Sequence, residues 1–150
     1  MIGKRINRTD PEQLFIVGYN SSAASWSNGY WVRWDYSTDV NGVGMETPAA
    51  QGAAGVGYAA VCGVVAETIA SGAYGLIQVY GYHSAARVKA ATGGAIAAGT
   101  ALACASAAGY ELENVRVTGT KANCYPKGFS YEAYTLANTT AAKKVHISCL

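Results

Sequence analysis

The chain has 150 residues, enough for one self-sufficient core, and is 51% hydrophobic but only 13% charged, about half the usual charged share. Much of the hydrophobic count is alanine, and 18 glycines accompany it, so bulky core material is scarcer than the percentage suggests. A net charge of +2 is too weak to point to nucleic acid, and the apolar run 52–66 is short for a membrane helix and stops at Glu67.

In chain order, the charges come first. Lys4, Arg5, Arg8, Asp10 and Glu12 crowd the first dozen residues, whereas residues 47–86 hold one charge, Glu67. Residues 1–13 therefore read as a polar N-terminal arm, and 14–150 as a single β-rich domain. No apolar stretch follows the basic residues at the start, so no secretory signal is expected.

Leu14 to Tyr19 reads as the first strand, and Asn20 to Asn28 as a polar loop carrying Trp26. Gly29 to Asp35 alternates, with Tyr30, Val32 and Trp34 on one face and Trp31, Arg33 and Asp35 on the other. Tyr36 to Gly44 is a turn region, and Met45 to Thr47 a short edge strand ended by Pro48. Glycines in 49–57 argue against a helix there, since each costs about 1 kcal/mol relative to alanine. A strand over 58–66 follows.

Two turns share one grammar. Ile69-Ala-Ser-Gly72 precedes a strand over 74–82, and Ile96-Ala-Ala-Gly99 precedes a strand over 101–105. In each, an aliphatic residue docks in the core, small residues turn, and a glycine takes a conformation that side chains resist. Further strands are expected at 86–90 and, within Glu111 to Gly119, at the two-faced edge Val115-Arg-Val117. Phe129 to Thr135 and Lys143 to Leu150 alternate as a closing antiparallel pair, with Val145, Ile147 and Cys149 inward and Lys144, His146 and Ser148 outward. No segment carries helical periodicity. The reading is all-β: a small antiparallel β-barrel or sandwich of short strands with an extended arm.

Little of this suggests reaction chemistry. Cys62, Cys104, Cys124 and Cys149 have neither CxxC nor Cys/His ligand spacing, so reduced, buried thiols are expected rather than a metal site or a disulfide. His146 and Cys149 fall on opposite faces of one strand, a poor arrangement for a nucleophile and its base. The nine acidic residues form no assignable pair. The glycine clusters lack the helix and lysine that a phosphate loop needs. No enzyme, cofactor or metal is expected.

The aromatic cluster Trp26, Tyr30, Trp31, Trp34 and Tyr36 puts rings on both faces of one strand. Either a partner covers one face, which suits residue types enriched at contact surfaces, or both faces are packed inside the fold. With Lys4, Arg5 and Arg8 of the arm, these are the candidate partner contacts.

Five segments carry a resemblance: Cys62-Gly-Val-Val-Ala-Glu67, Ile69-Ala-x-Gly72-x-Tyr-Gly75-Leu-Ile-Gln-Val79-x-Gly81, Ile96-Ala-Ala-Gly99-Thr-Ala-Leu102, Phe129-x-x-Glu-Ala-Tyr-Thr135 and Lys144-Val-His-Ile-Ser-Cys-Leu150. Over residues 56–150 this order resembles the head decoration, or capsid cement, proteins of tailed bacteriophages. The resemblance implies a non-enzymatic virion protein, made in the host cytoplasm, that binds the outer capsid surface and bridges capsomers. It implies the major capsid protein as partner and a homotrimeric state, with no nucleic acid and no membrane. The alternative is a receptor- or carbohydrate-binding β-module of a phage tail or fibre.

Overall fold

The computed structural model describes residues 12–39, 41–48, 60–90, 95–104, 109–114, 126–135 and 139–150. Among them there is no helix and there are nine strands: β1 (Gln13–Asn20), β2 (Trp31–Trp34), β3 (Gly44–Glu46), β4 (Val61–Val65), β5 (Tyr74–Lys89), β6 (Ala101–Cys104), β7 (Leu112–Asn114), β8 (Gly128–Ser130) and β9 (Thr140–Ser148). The all-β reading stands. Two expected strands, 74–82 and 86–90, prove to be one 16-residue strand, β5, with an irregularity between His83 and Ala86. Gln13, placed in the arm on composition, is the first residue of β1.

The expectation of an antiparallel sheet is corrected to a mixed one. The strands run β1-β3-β2-β4-β5-β7-β6-β8-β9, with further pairings β1–β5 and β5–β9. These pairings close two circuits of five strands that share β5. Neighbours can alternate in direction all the way round a closed circuit only if the strand number is even. Each five-membered circuit must therefore contain a parallel pair, and each has one: β1–β3 in the first and β5–β7 in the second. All other pairings are antiparallel.

Two cores follow from this plan. Trp26, Val32, Met45, Cys62, Val65, Ile69 and Ile77 form one. The other gathers Ala86, Val88, Ile96, Leu102, Leu112, Val145 and Ile147 around Trp31, Val61 and Val64. Strands β2 and β4 thus contribute residues to both cores, which is why Val61 to Val65 is buried throughout. An apolar run with no polar face is the mark of a strand covered on both sides.

The two matching turns are anchored alike. Ile69 exchanges backbone hydrogen bonds with Trp26 at 2.8 and 2.9 Å, and Ile96 does so with Tyr134 at 2.8 and 2.7 Å. Gly72 and Gly99 both adopt the left-handed region, at φ 72° and 82°. Their N–H groups donate to the carbonyls of Asn20 and Ser130, at 2.9 and 2.7 Å. Each turn therefore ties an aromatic-bearing segment to the start of a strand, β5 in one case and β6 in the other.

Candidate functional site

The structure divides the predicted contact residues sharply. Trp26 and Trp31 are 0% exposed. Trp26 belongs to the first core and Trp31 to the second, and the Trp31 indole N–H donates to the Arg87 carbonyl at 2.9 Å. Neither presents area to a partner, so the reading of these two as contact residues is corrected. For Trp31 the physical reason is the double burial of β2, since a strand wedged between two cores buries both faces without any second molecule. Trp26, outside β2, is held in the first core through its backbone bridge to Ile69.

Tyr30 and Trp34 are half-buried and pack against the first core. Tyr30 stacks on Tyr110 with centroids 4.2 Å apart, and the Arg87 guanidinium lies 4.4 Å from its ring centroid. Tyr36 is exposed, and its hydroxyl accepts from Arg33 at 3.1 Å. Arg33 also pairs with Glu46 at 3.0 Å. Lys4, Arg5 and Arg8 lie outside the described residues.

The acids beside this cluster act as loop staples. Asp35 accepts from the Thr38 hydroxyl and N–H and from Ser37. The Thr38 hydroxyl bond is the main reason its carboxyl is held down to about 2. Asp39 accepts the backbone N–H groups of Asn41, Val43 and Gly44, with the Gly44 bond the leading cause of its lowered pKa. Carboxylates that accept several N–H or O–H donors are satisfied by the fold.

Elsewhere the chemistry is equally committed. His83 is buried, its Nδ1 accepts from the Ala85 N–H at 3.1 Å, and burial lowers its pKa. Cys62, Cys104 and Cys149 are free thiols, and Cys124 lies outside the described residues. Burial raises the Cys62 thiol and lifts Cys149 to about 12, so neither supplies a thiolate near neutrality. Among the described residues, no group of three His, Cys, Asp or Glu side chains could hold a metal ion.

What remains is surface, and two patches stand out. The first is a ledge on β1 and the start of β5. Val17 faces Leu76 and Tyr19 faces Tyr74 in antiparallel register, with the Tyr19 and Tyr74 rings 5.1 Å apart. Val17 is 60% exposed and Tyr74 64%, and Phe15 and Leu76 are also exposed. Ile16 and Ile77 turn the other way, into the first core. A strand with apolar residues on both faces but only one core is the anomaly here. Leu14-Phe-Ile-Val-Gly-Tyr19 has no polar alternation, and that was a legible signal the sequence reading did not use.

The second patch is an aromatic face on β5, β9 and β8. Tyr80 and Tyr82 of β5, His146 of β9, Phe129 of β8 and Tyr131 just after β8 come together. Sequence reasoning placed His146 on the outward face of its strand, but the strand expected over 129–135 is confined to β8 at Gly128–Ser130. That reasoning missed the cluster because its members lie up to 66 positions apart and meet only through strand pairing. No family model matches the chain, and no curated protein matches it significantly.

Proposed function

We propose that the protein is a non-enzymatic virion structural protein of the tailed-phage capsid decoration class, which binds the outer capsid surface and bridges capsomers as a homotrimer. The observation that carries this reading is the exposed ledge of Phe15, Val17, Tyr74 and Leu76 on paired strands. Adjacent apolar side chains held in register on a sheet face are the kind of area that soluble monomers avoid and partner surfaces cover. The segment order over 56–150 supplies the class. The low charged fraction, 13%, fits a protein that spends its life packed against neighbours. The arm residues Lys4, Arg5 and Arg8 add charge that can pair with carboxylates of the shell.

The test is co-sedimentation with expanded, emptied capsids. Replacing Val17 and Leu76 together by Lys places charge on an exposed face, so the melting temperature holds while occupancy falls. Removing residues 2–9 lowers occupancy at low salt and less so at high salt, because exposed charge pairs are screened. Undiminished binding by both variants would sink the assignment. Light scattering of the free protein checks the trimer.

A further inference from the structure

The rings of the aromatic face orient one another. Phe129 and His146 sit opposite each other on β8 and β9, with centroids 4.9 Å apart and planes 12° from parallel. The Tyr131 hydroxyl lies 3.2 Å from His146 Nδ1, and Tyr80 meets the imidazole at 87°. Tyr131 also packs edge-on against Phe129 at 5.2 Å. Phe129 is thus braced on the β9 side.

On the β6 side the residue paired with Phe129 is Ala101, which reaches no further than a methyl group. Gly99 extends the same bare floor, and Gly128 and Pro126 also line it. A Cβ at Gly99 would meet nothing within 4 Å, so open space lies above it. The outcome is an open groove of about 460 Å3, walled by Phe129, floored by these small residues and rimmed by Tyr80, His146 and Ser148. Its size falls in the ~300–1,000 Å3 range of small-ligand clefts.

The lining carries no Asp, Glu, Lys or Arg, so an ionic ligand would give up its hydration without a counter-charge. A ring face attracts polarised C–H groups through its quadrupole. The rim adds two hydroxyls, on Tyr80 and Ser148, and the second imidazole nitrogen of His146, which together offer both donors and acceptors. A ligand with one face of C–H groups and a girdle of hydroxyls matches this combination, and a pyranose is such a ligand. We propose that the groove beside Phe129 is a binding site for a neutral saccharide, with the Phe129 ring as its stacking platform. The groove lies on β6, β8, β9 and the middle of β5, whereas the apolar ledge lies on β1 and the start of β5. The groove shares no lining residue with the ledge of Phe15, Val17, Tyr74 and Leu76, and the proposal does not depend on capsid binding.

The isolated protein is run through native gels containing dextran, galactomannan or hydroxyethylcellulose, with heparin and a proline-rich peptide as comparison ligands. At least one neutral polysaccharide should retard it. Phe129→Ala, which removes the platform, and Ala101→Leu, which fills the groove and keeps every ring, should each weaken that retention roughly tenfold or more, the scale of losing a well-packed aromatic contact. Tyr36→Ala, on an exposed ring elsewhere, should leave it unchanged. Circular dichroism confirms that each variant is folded, and either groove variant suffices if the other is not. Absence of retardation in all three neutral gels overturns the proposal. So does retention unaffected by the groove variants, or binding of heparin or the peptide alone.

Discussion

Trp31 offers the sharpest test of the two-core architecture. Its side chain is fully buried among Val61, Val64, Val88, Leu112 and Ile147 in the second core. It also reaches β8, since a Cβ built on Gly128 would lie 3.5 Å from its Cη2. Truncation to alanine removes an indole from a closed site, a change that costs about 3–5 kcal/mol. It also strands the Arg87 carbonyl, which now accepts the indole N–H at 2.9 Å, for about 1 kcal/mol more. The expected loss is therefore about 4–6 kcal/mol, a large part of the ~5–15 kcal/mol typical of a domain. Urea denaturation followed by circular dichroism measures it, with Tyr36→Ala as an exposed comparison expected to change stability by less than about 0.5 kcal/mol. If Trp31→Ala cost under about 1.5 kcal/mol and instead shifted the protein toward smaller assemblies in light scattering, Trp31 would be a subunit contact and the double burial of β2 would be wrong.

Gly81 sits at φ 98° and a Cβ there would collide with the Glu12 carbonyl, so Gly81→Ala should cost about 2 kcal/mol or more through strain and displacement of β1, read as a lower urea midpoint. His83 is buried with a lowered pKa, so its neutral form favours the fold. Its stabilising effect is complete above the unfolded histidine value of about 6.5 and is lost as the pH falls from there towards the folded value, and His83→Asn should flatten that part of a stability–pH curve. Asp35, held at about 2, adds stability present above its ordinary 3.8 and lost as the pH falls through the range down to about 2, a second decline that Asp35→Asn should remove. Thiol titration should recover all four cysteines from the unfolded, non-reduced protein, and react far more slowly with the native one because Cys62 and Cys149 are held protonated by burial.

Local chemistry alone determined a good deal of this protein. Period-two alternation identified the outward and inward sets of β9, with Val145 and Ile147 buried and Lys144 and Ser148 exposed, because a pleated strand sends successive side chains to opposite faces. The two Ile-x-x-Gly turns were legible because a positive φ is cheap only for glycine, and Gly72 and Gly99 both adopt one. What the sequence could not settle is how many layers each strand separates. Trp31 and Val32 look the same in sequence whether the far side of β2 meets solvent, a partner or a second core, and tertiary structure decided for the second core. Strand direction was hidden for a similar reason. The parallel pairs β1–β3 and β5–β7 arise from closing circuits with an odd number of strands, a property of the whole ring that no single segment encodes. The aromatic groove depends on the same long-range closure: Phe129, His146 and Tyr80 become neighbours only when β8 and β5 both pair with β9.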